Sequence, residues 1–140
     1  MNDESDLQNK KLFEMISSDS FAKFMGIKLE SLKPGYARLS MIFTKEMLNF
    51  HGIIHGGAIF ALADAAFAAS SNSHGKTSVA LNMNINFISA VQPGQKLIAV
   101  GSEEKVTRKV GVYRITVKTV EDELIAVADG VVYRKESMLI

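Results

Sequence analysis

Residues 49–75 read NFHGIIHGGAIFALADAAFAASSNSHG, and the architecture turns on this stretch. From Gly56 to Ser71 it is a run of Ala, Leu, Ile and Phe with a single charged side chain, Asp64, in its middle. Apolar residues on every side predict a helix buried all round, unlike the one-sided pattern of a surface helix. The many alanines keep that helix thin, which lets a sheet pack closely around it. Asn72, Ser73 and Gly75 end it. The run is shorter than the roughly 20 residues that cross a bilayer, so a membrane span is not expected.

Working outward, both flanks read as strands. Ala37, Leu39, Met41 and Phe43 alternate with Tyr36, Arg38 and Ser40, the mark of a strand with one buried face. Pro34-Gly35 suits the centre of a tight turn, which predicts a hairpin near residues 27–44. Further upstream, Ser5 with Gln8 three residues on has the form of a capping box. Leu7, Leu12, Met15 and Ile16 follow with helical spacing, so residues 6–17 are read as a short amphipathic helix packed on the domain. Downstream, Val79, Leu81, Met83, Ile85 and Phe87 alternate with Ser78, Ala80, Asn82, Asn84 and Asn86. Runs at 96–107, 111–120 and 123–134 follow, separated by TRKVG and by Glu121-Asp122-Glu123. Helix, hairpin, long buried helix and four strands in succession predict an α+β fold, one antiparallel sheet curled around a central helix. Residues 1–140 are expected to form a single domain.

Composition narrows the function classes. Sixteen Lys and Arg against fifteen Asp and Glu leave a net charge of +1, so no global field favours nucleic acid or an anionic membrane. An anionic ligand would have to be met by locally placed Lys and Arg. The absence of cysteine excludes a disulfide framework and a cysteine nucleophile, and fits a reducing compartment. The polar start MNDESDLQNKK lacks the apolar stretch of a signal peptide, so a cytoplasmic location is expected.

Asp64 is the only ionisable residue between His55 and His74. Burying a lone carboxylate costs several kcal/mol unless it is paired or faces a cavity. It is therefore either a structural Asp bonded to backbone or to Ser70, or a base or nucleophile whose proton affinity desolvation has raised. His55-Gly56-Gly57 opens the helix, where free N–H groups and the macrodipole present partial positive charge. Such an end can stabilise the oxyanion formed when an acyl carbonyl is attacked; otherwise the glycines simply make a tight turn. Gly56 and Asp64 are eight positions apart, about 12 Å along one helix. A base and an oxyanion hole must each lie about 3 Å from the reacting centre. If both act on one carbonyl, they come from different copies of the chain, as in a twofold dimer.

Asn49-x-His51-x-x-x-His55-Gly56-Gly57, with Leu62-Ala63-Asp64 and Asn72-Ser73-x-Gly75, resembles the phenylacetate-degradation, PaaI-like branch of the hotdog-fold thioesterases. PGQKL and GVYRITV extend the likeness over most of the chain. The resemblance implies a hotdog fold, a dimer with a continuous sheet that commonly pairs into a homotetramer, and hydrolysis of acyl- or arylacetyl-CoA esters. It makes Asp64 the general base or nucleophile and the Gly56 amide the group that polarises the carbonyl. Asn49 becomes the loop residue that positions water or carbonyl, and His55 the support of that loop. His51 belongs to the same pattern. Some relatives hold the attacking water with a serine on the next strand; here the spacing places Ala80 there, with Ser78 two residues earlier. Lys105, Arg108 and Lys109, around the fourth strand and its turn, are either an ordinary solvated turn or, as the resemblance implies, the place where coenzyme A phosphates dock.

The acyl group is expected against residues such as Phe60, Phe67, Phe50 and Ile53, rings that equally suit ordinary core packing, with Gly57 allowing close approach of the ligand. His51 and His55 have a chelating spacing, but Gly52 and the helix start lie between them and no third ligand is evident, so no metal is expected. No cofactor is needed, since coenzyme A is part of substrate and product. Two rival readings stand beside the thioesterase: a hotdog protein that binds acyl-CoA without cleaving it, and a hydratase or dehydratase. The second would pair Asp64 with His55, about 13 Å away on the same helix.

Overall fold

The computed structural model describes residues 3–140. Helices α1 (Asp3–Ser17) and α2 (Ser20–Met25) lead into strands β1 (Lys28–Lys33) and β2 (Tyr36–Ile42). A 3₁₀ turn at Lys45–Met47 and a loop precede α3 (Gly56–Asn72). Strands β3 (Lys76–Phe87), β4 (Lys96–Val106), β5 (Val110–Thr119) and β6 (Leu124–Met138) complete the chain. All six strands form one antiparallel sheet in the order β1-β2-β4-β5-β6-β3, which leaves β1 and β3 at its edges.

The inner face of the sheet closes on α3. Ala37, Leu39 and Met41 of β2, Leu97 and Ala99 of β4, and Tyr113, Ile115 and Val117 of β5 are buried against Leu62, Ala63, Ala66 and Phe67. Two glycines let the helix come this close. A Cβ on Gly101 of β4 would collide with the Ser70 hydroxyl and the Ala66 carbonyl, and one on Gly130 of β6 would meet the Phe67 ring at 2.5 Å. The hairpin turn between β1 and β2 is tied to the far end of α3, where the Gly35 N–H donates to Ser73 Oγ at 2.7 Å. Gly35 adopts φ +75°, a conformation that favours glycine.

Three expectations change. The first helix already runs at Asp3, so Ser5 lies inside it rather than at its cap, and Leu12, Phe13 and Ile16 pack inward while Leu7 and Met15 stay exposed. The six-residue α2 was not anticipated; Asp19 caps it by accepting from the Ala22 N–H, and Gly26 ends it in the left-handed conformation. The alternation along β3 does not mark a buried face. Leu81 is 63% exposed, Val79 and Phe87 are exposed too, and only Met83 and Ile85 pack partly on the core. The strand pairs with β6 alone, at the edge of the sheet, and its register shifts near Lys76 and after Ala80.

Gly101→Ala should lower stability by about 1–3 kcal/mol, because the methyl meets helix backbone that cannot move aside. A thermal melt beside that of Val100→Ala, at a half-exposed neighbour, measures it; equal melting temperatures would refute the close-approach account.

Candidate active site

The loop before α3 holds itself together through Asn49. Its Oδ1 accepts from the backbone N–H of His51 (2.9 Å) and of Ile53 (3.3 Å), while its own backbone bonds Ile53 and Gly52. With Oδ1 so occupied, the carboxamide NH₂ is the side of Asn49 left to serve a ligand. Gly52, at φ +80°, lets the chain turn back, and the His55 N–H reaches the Met47 carbonyl at 2.7 Å.

His55 is the N-cap of α3. Its Nδ1 accepts from the Gly57 N–H at 2.7 Å, so the ring is a neutral imidazole with its proton on Nε2. This divides the two glycines. The Gly57 N–H is consumed by the cap, and its missing side chain is explained by the His55 ring, whose Nδ1 would lie 2.8 Å from a Cβ. The expected ligand contact at Gly57 therefore gives way to a packing role. Gly56, the first helical residue, has no intrahelical acceptor for its N–H. Beside it is a recess of about 330 Å³ whose walls include Asn49, Ile53, Phe87 and Ile88. Asn49 and Gly56 thus share one recess.

Asp64 lies two turns further along. The helix is not buried all round: Gly57, Asp64 and Ala68 form an exposed stripe, with Ala61 and Ala65 half-exposed beside it. Among the described residues nothing hydrogen-bonds the Asp64 carboxylate. Ser70, the structural partner considered from sequence, donates instead to the carbonyls of Ala66 and Phe67. Although its tip reaches solvent, the protein packed around it pushes the Asp64 carboxyl above the usual carboxylate range, and the negative charge of Asp19 adds to this. Asp19 had no place in the sequence reading; it entered only as the unrecognised cap of α2.

The other candidates separate. Phe60 is half-buried and Ile53 exposed, both near the start of α3, and Phe50 is 94% exposed with its ring 4.2 Å from that of His51. Phe67 is a core residue, its ring on Gly130 and beside Tyr113, and it is removed from any surface an acyl group can reach. Lys105, Arg108 and Lys109 are exposed and make no ion pair among the described residues. They sit on the β4–β5 hairpin, which Arg134 of β6 pins by donating its Nη1 to the Thr107 carbonyl at 2.7 Å. This hairpin lies at the end of the sheet where β3 begins, opposite Gly56. His74, just past the helix, meets Glu103 through its Nε2 at 2.7 Å. Among the described residues no three His, Asp or Glu side chains cluster in a metal-binding arrangement.

Residues 51–126, more than half of the chain, match the thioesterase superfamily. The chain belongs to that superfamily. A relative from Archaeoglobus fulgidus is 40% identical over 127 residues, spanning 91% of this chain and 77% of its own. The acyl-coenzyme A thioesterase PaaI of Escherichia coli is 35% identical over 120 residues, 86% of each chain. A solved structure of the E. coli PaaI protein from the phenylacetic acid degradation operon superposes with a TM-score of 0.87 at 33% identity, covering 94% of both chains. This superfamily member is accordingly of the PaaI-like branch, and its curled sheet around α3 is the hotdog fold that the resemblance implied. No helix among the described residues is long and apolar enough to cross a membrane.

Two measurements test the site. A carboxyl whose folded pKa is raised destabilises the fold wherever it is ionised, and this cost fades as pH falls through the raised value. Asp64→Asn should therefore melt higher than the parent at neutral pH, with the gap closing in acid; a variant that melts lower would mean the carboxylate has a structural partner. Asn49→Asp should keep the loop, since its oxygens still accept from His51 and Ile53, yet lose the NH₂ donor. It should melt within about 0.5 kcal/mol of the parent while Asn49→Ala loses about 1 kcal/mol or more.

Proposed function

We propose that the working unit is a pair of chains in which Asp64 of one copy faces the Gly56 N–H of the other, and that this pair hydrolyses acyl-CoA thioesters. The chain is an acyl-CoA thioesterase. The observation that carries the shared site is the separation of its halves: a free amide at Gly56 and an unbonded carboxylate at Asp64, about 12 Å apart on one unbroken helix. No single carbonyl can touch both. The bare stripe on α3 and the unpaired edge of β3, with Leu81 and Phe87 exposed, support a second copy beside them, sheet continuing into sheet.

In this reading the thioester carbonyl enters the recess at Gly56, where the amide and the Asn49 NH₂ stabilise the negative charge developing on oxygen. Asp64 of the opposite chain takes a proton from water as that water attacks the carbonyl carbon, and its raised proton affinity suits a base. The tetrahedral intermediate collapses, the C–S bond breaks, and coenzyme A leaves as a thiolate that needs little acid assistance. His55 acts through Gly57, holding the helix start in place. The phosphates of coenzyme A are assigned to Lys105, Arg108 and Lys109. Arylacetyl groups are among the acyl groups proposed, with two such pairs joining as a homotetramer, in the cytoplasm and without a cofactor.

Thiol release from a panel of acyl-CoAs separates hydrolysis from the alternative, acyl-CoA binding alone, which frees no thiol. Asp64→Asn should reduce kcat by at least roughly 10²-fold; survival of near-normal turnover refutes the assignment. Gly56→Pro removes the amide hydrogen at a first-turn position that tolerates proline, and Gly56→Ala, which adds the same Cβ 3.3 Å from the Phe87 ring but keeps the N–H, is its control. Co-expressing the two inactive variants tests the sharing directly. Mixed pairs contain one intact site, so activity should return to about a quarter of the parent level, whereas a site within one chain would give none.

A further inference from the structure

A second cleft, of about 380 Å³, opens along the exposed side of α3 beyond Asp64. Ala65 and Ala68 form one wall, Ile16 and Ala22 of the N-terminal helices the other, and Leu29 of β1 lies between. Its lining is apolar apart from the mouth and one end. Asp19 contributes a carboxylate. At the strand β3 end stands Ser78, 8% exposed, whose hydroxyl has no hydrogen-bond partner among the described residues. The Asn72 side chain clamps the backbone of Ser78 from both sides, accepting from its N–H at 2.9 Å and donating to its carbonyl at 3.2 Å. Asn72 is two helical turns past Asp64, so Ser78 is held about 12 Å from the carboxylate along the helix axis.

A buried hydroxyl without a partner is unfavourable, and here it borders a space open to a ligand. We propose that this cleft receives the acyl group and that the Ser78 hydroxyl hydrogen-bonds a polar group at its far end, so that acyl chains tipped with a neutral hydroxyl or similar group are preferred. The inference rests on the reading of Asp64 as the reacting end. From there an acyl chain runs past Ala65 and Ala68, whose short side chains leave it room, to Ser78. Asp19 adds a rule of exclusion: a chain ending in a carboxylate enters a cleft lined by the Asp19 carboxylate, and is disfavoured. Ser78 is then a specificity residue, distinct from the water-holding position at Ala80, which is exposed.

The test compares octanoyl-CoA, ω-hydroxyoctanoyl-CoA and octanedioyl-CoA, read as kcat/KM on the full-length protein. The parent should favour the hydroxylated chain over the plain one by about three- to tenfold and rank the dicarboxylic chain last. Ser78→Ala should bring the hydroxyl-to-plain ratio to parity, and Asp19→Asn, which keeps the cap of α2, should raise octanedioyl-CoA relative to octanoyl-CoA. Ser78→Ala should also melt at or above the parent temperature, since it removes a hydroxyl that bonds nothing. A parent without preference, a ratio that Ser78→Ala leaves unchanged, or an equal fall for all three substrates would each overturn the proposal, the last placing Ser78 at the reacting end. If no acyl-CoA releases thiol, the enzyme reading fails; calorimetric binding of the same three ligands then decides the cleft alone, with a Ser78-dependent preference supporting it and equal affinities overturning it.

Discussion

The approach of α3 to β4 sets the scale on which the rest of the molecule is built. Where Ala66 and Ser70 cross Gly101, helix backbone and sheet backbone are separated by less than one methyl group. That contact is possible because the helix carries the small residues Ala66 and Ser70 at the crossing and the strand beneath has no side chain there. Close packing on one side fixes the helix against rotation, and a helix that cannot rotate must present the same residues outward. Asp64 is on that outward stripe for this reason. An isolated carboxylate on a mobile helix would find a partner; on this one it stays unbonded, with its proton affinity raised by the surrounding protein.

The helix start is organised by a different economy. Asn49 and His55 each use one side-chain acceptor to satisfy neighbouring backbone N–H groups, and together they fix a loop that contains a left-handed glycine. What they leave over, the Asn49 NH₂ and the Gly56 N–H, are donors beside the recess. Donors set in place before a substrate arrives cost no reorganisation when charge develops, and this is the condition under which they are most effective.

Much of this was legible in the chain itself, for identifiable reasons. The alternation from Ala37 to Phe43 reported a central strand because β2 has a neighbour on each side and a helix above it. Asp64 stood out by isolation, and the spacing to Gly56 carried a geometric conflict that no folding detail could remove. The pattern from Val79 to Phe87 misled because period two reports a pleat, not its cover; at a sheet edge the same letters face water or another chain. Helix α2 is too short for any period, and only its caps, Asp19 and Gly26, announced it. Phe67 looked like a pocket wall beside Asp64, but three residues along a helix is enough to turn a ring into the core. Ser78 was noticed for a role in holding water; its buried, unbonded hydroxyl exists only in three dimensions.

Strand β3 has a consequence for the life of the newly made chain. Twelve residues of backbone run along an open border of the sheet, with Val79, Leu81 and Phe87 uncovered along it. A border of that length is a template for any extended segment that drifts past, whether a sister molecule in the correct orientation or a stray strand from an unrelated polypeptide. Until that border is covered, the protein stays open to misassembly of this kind.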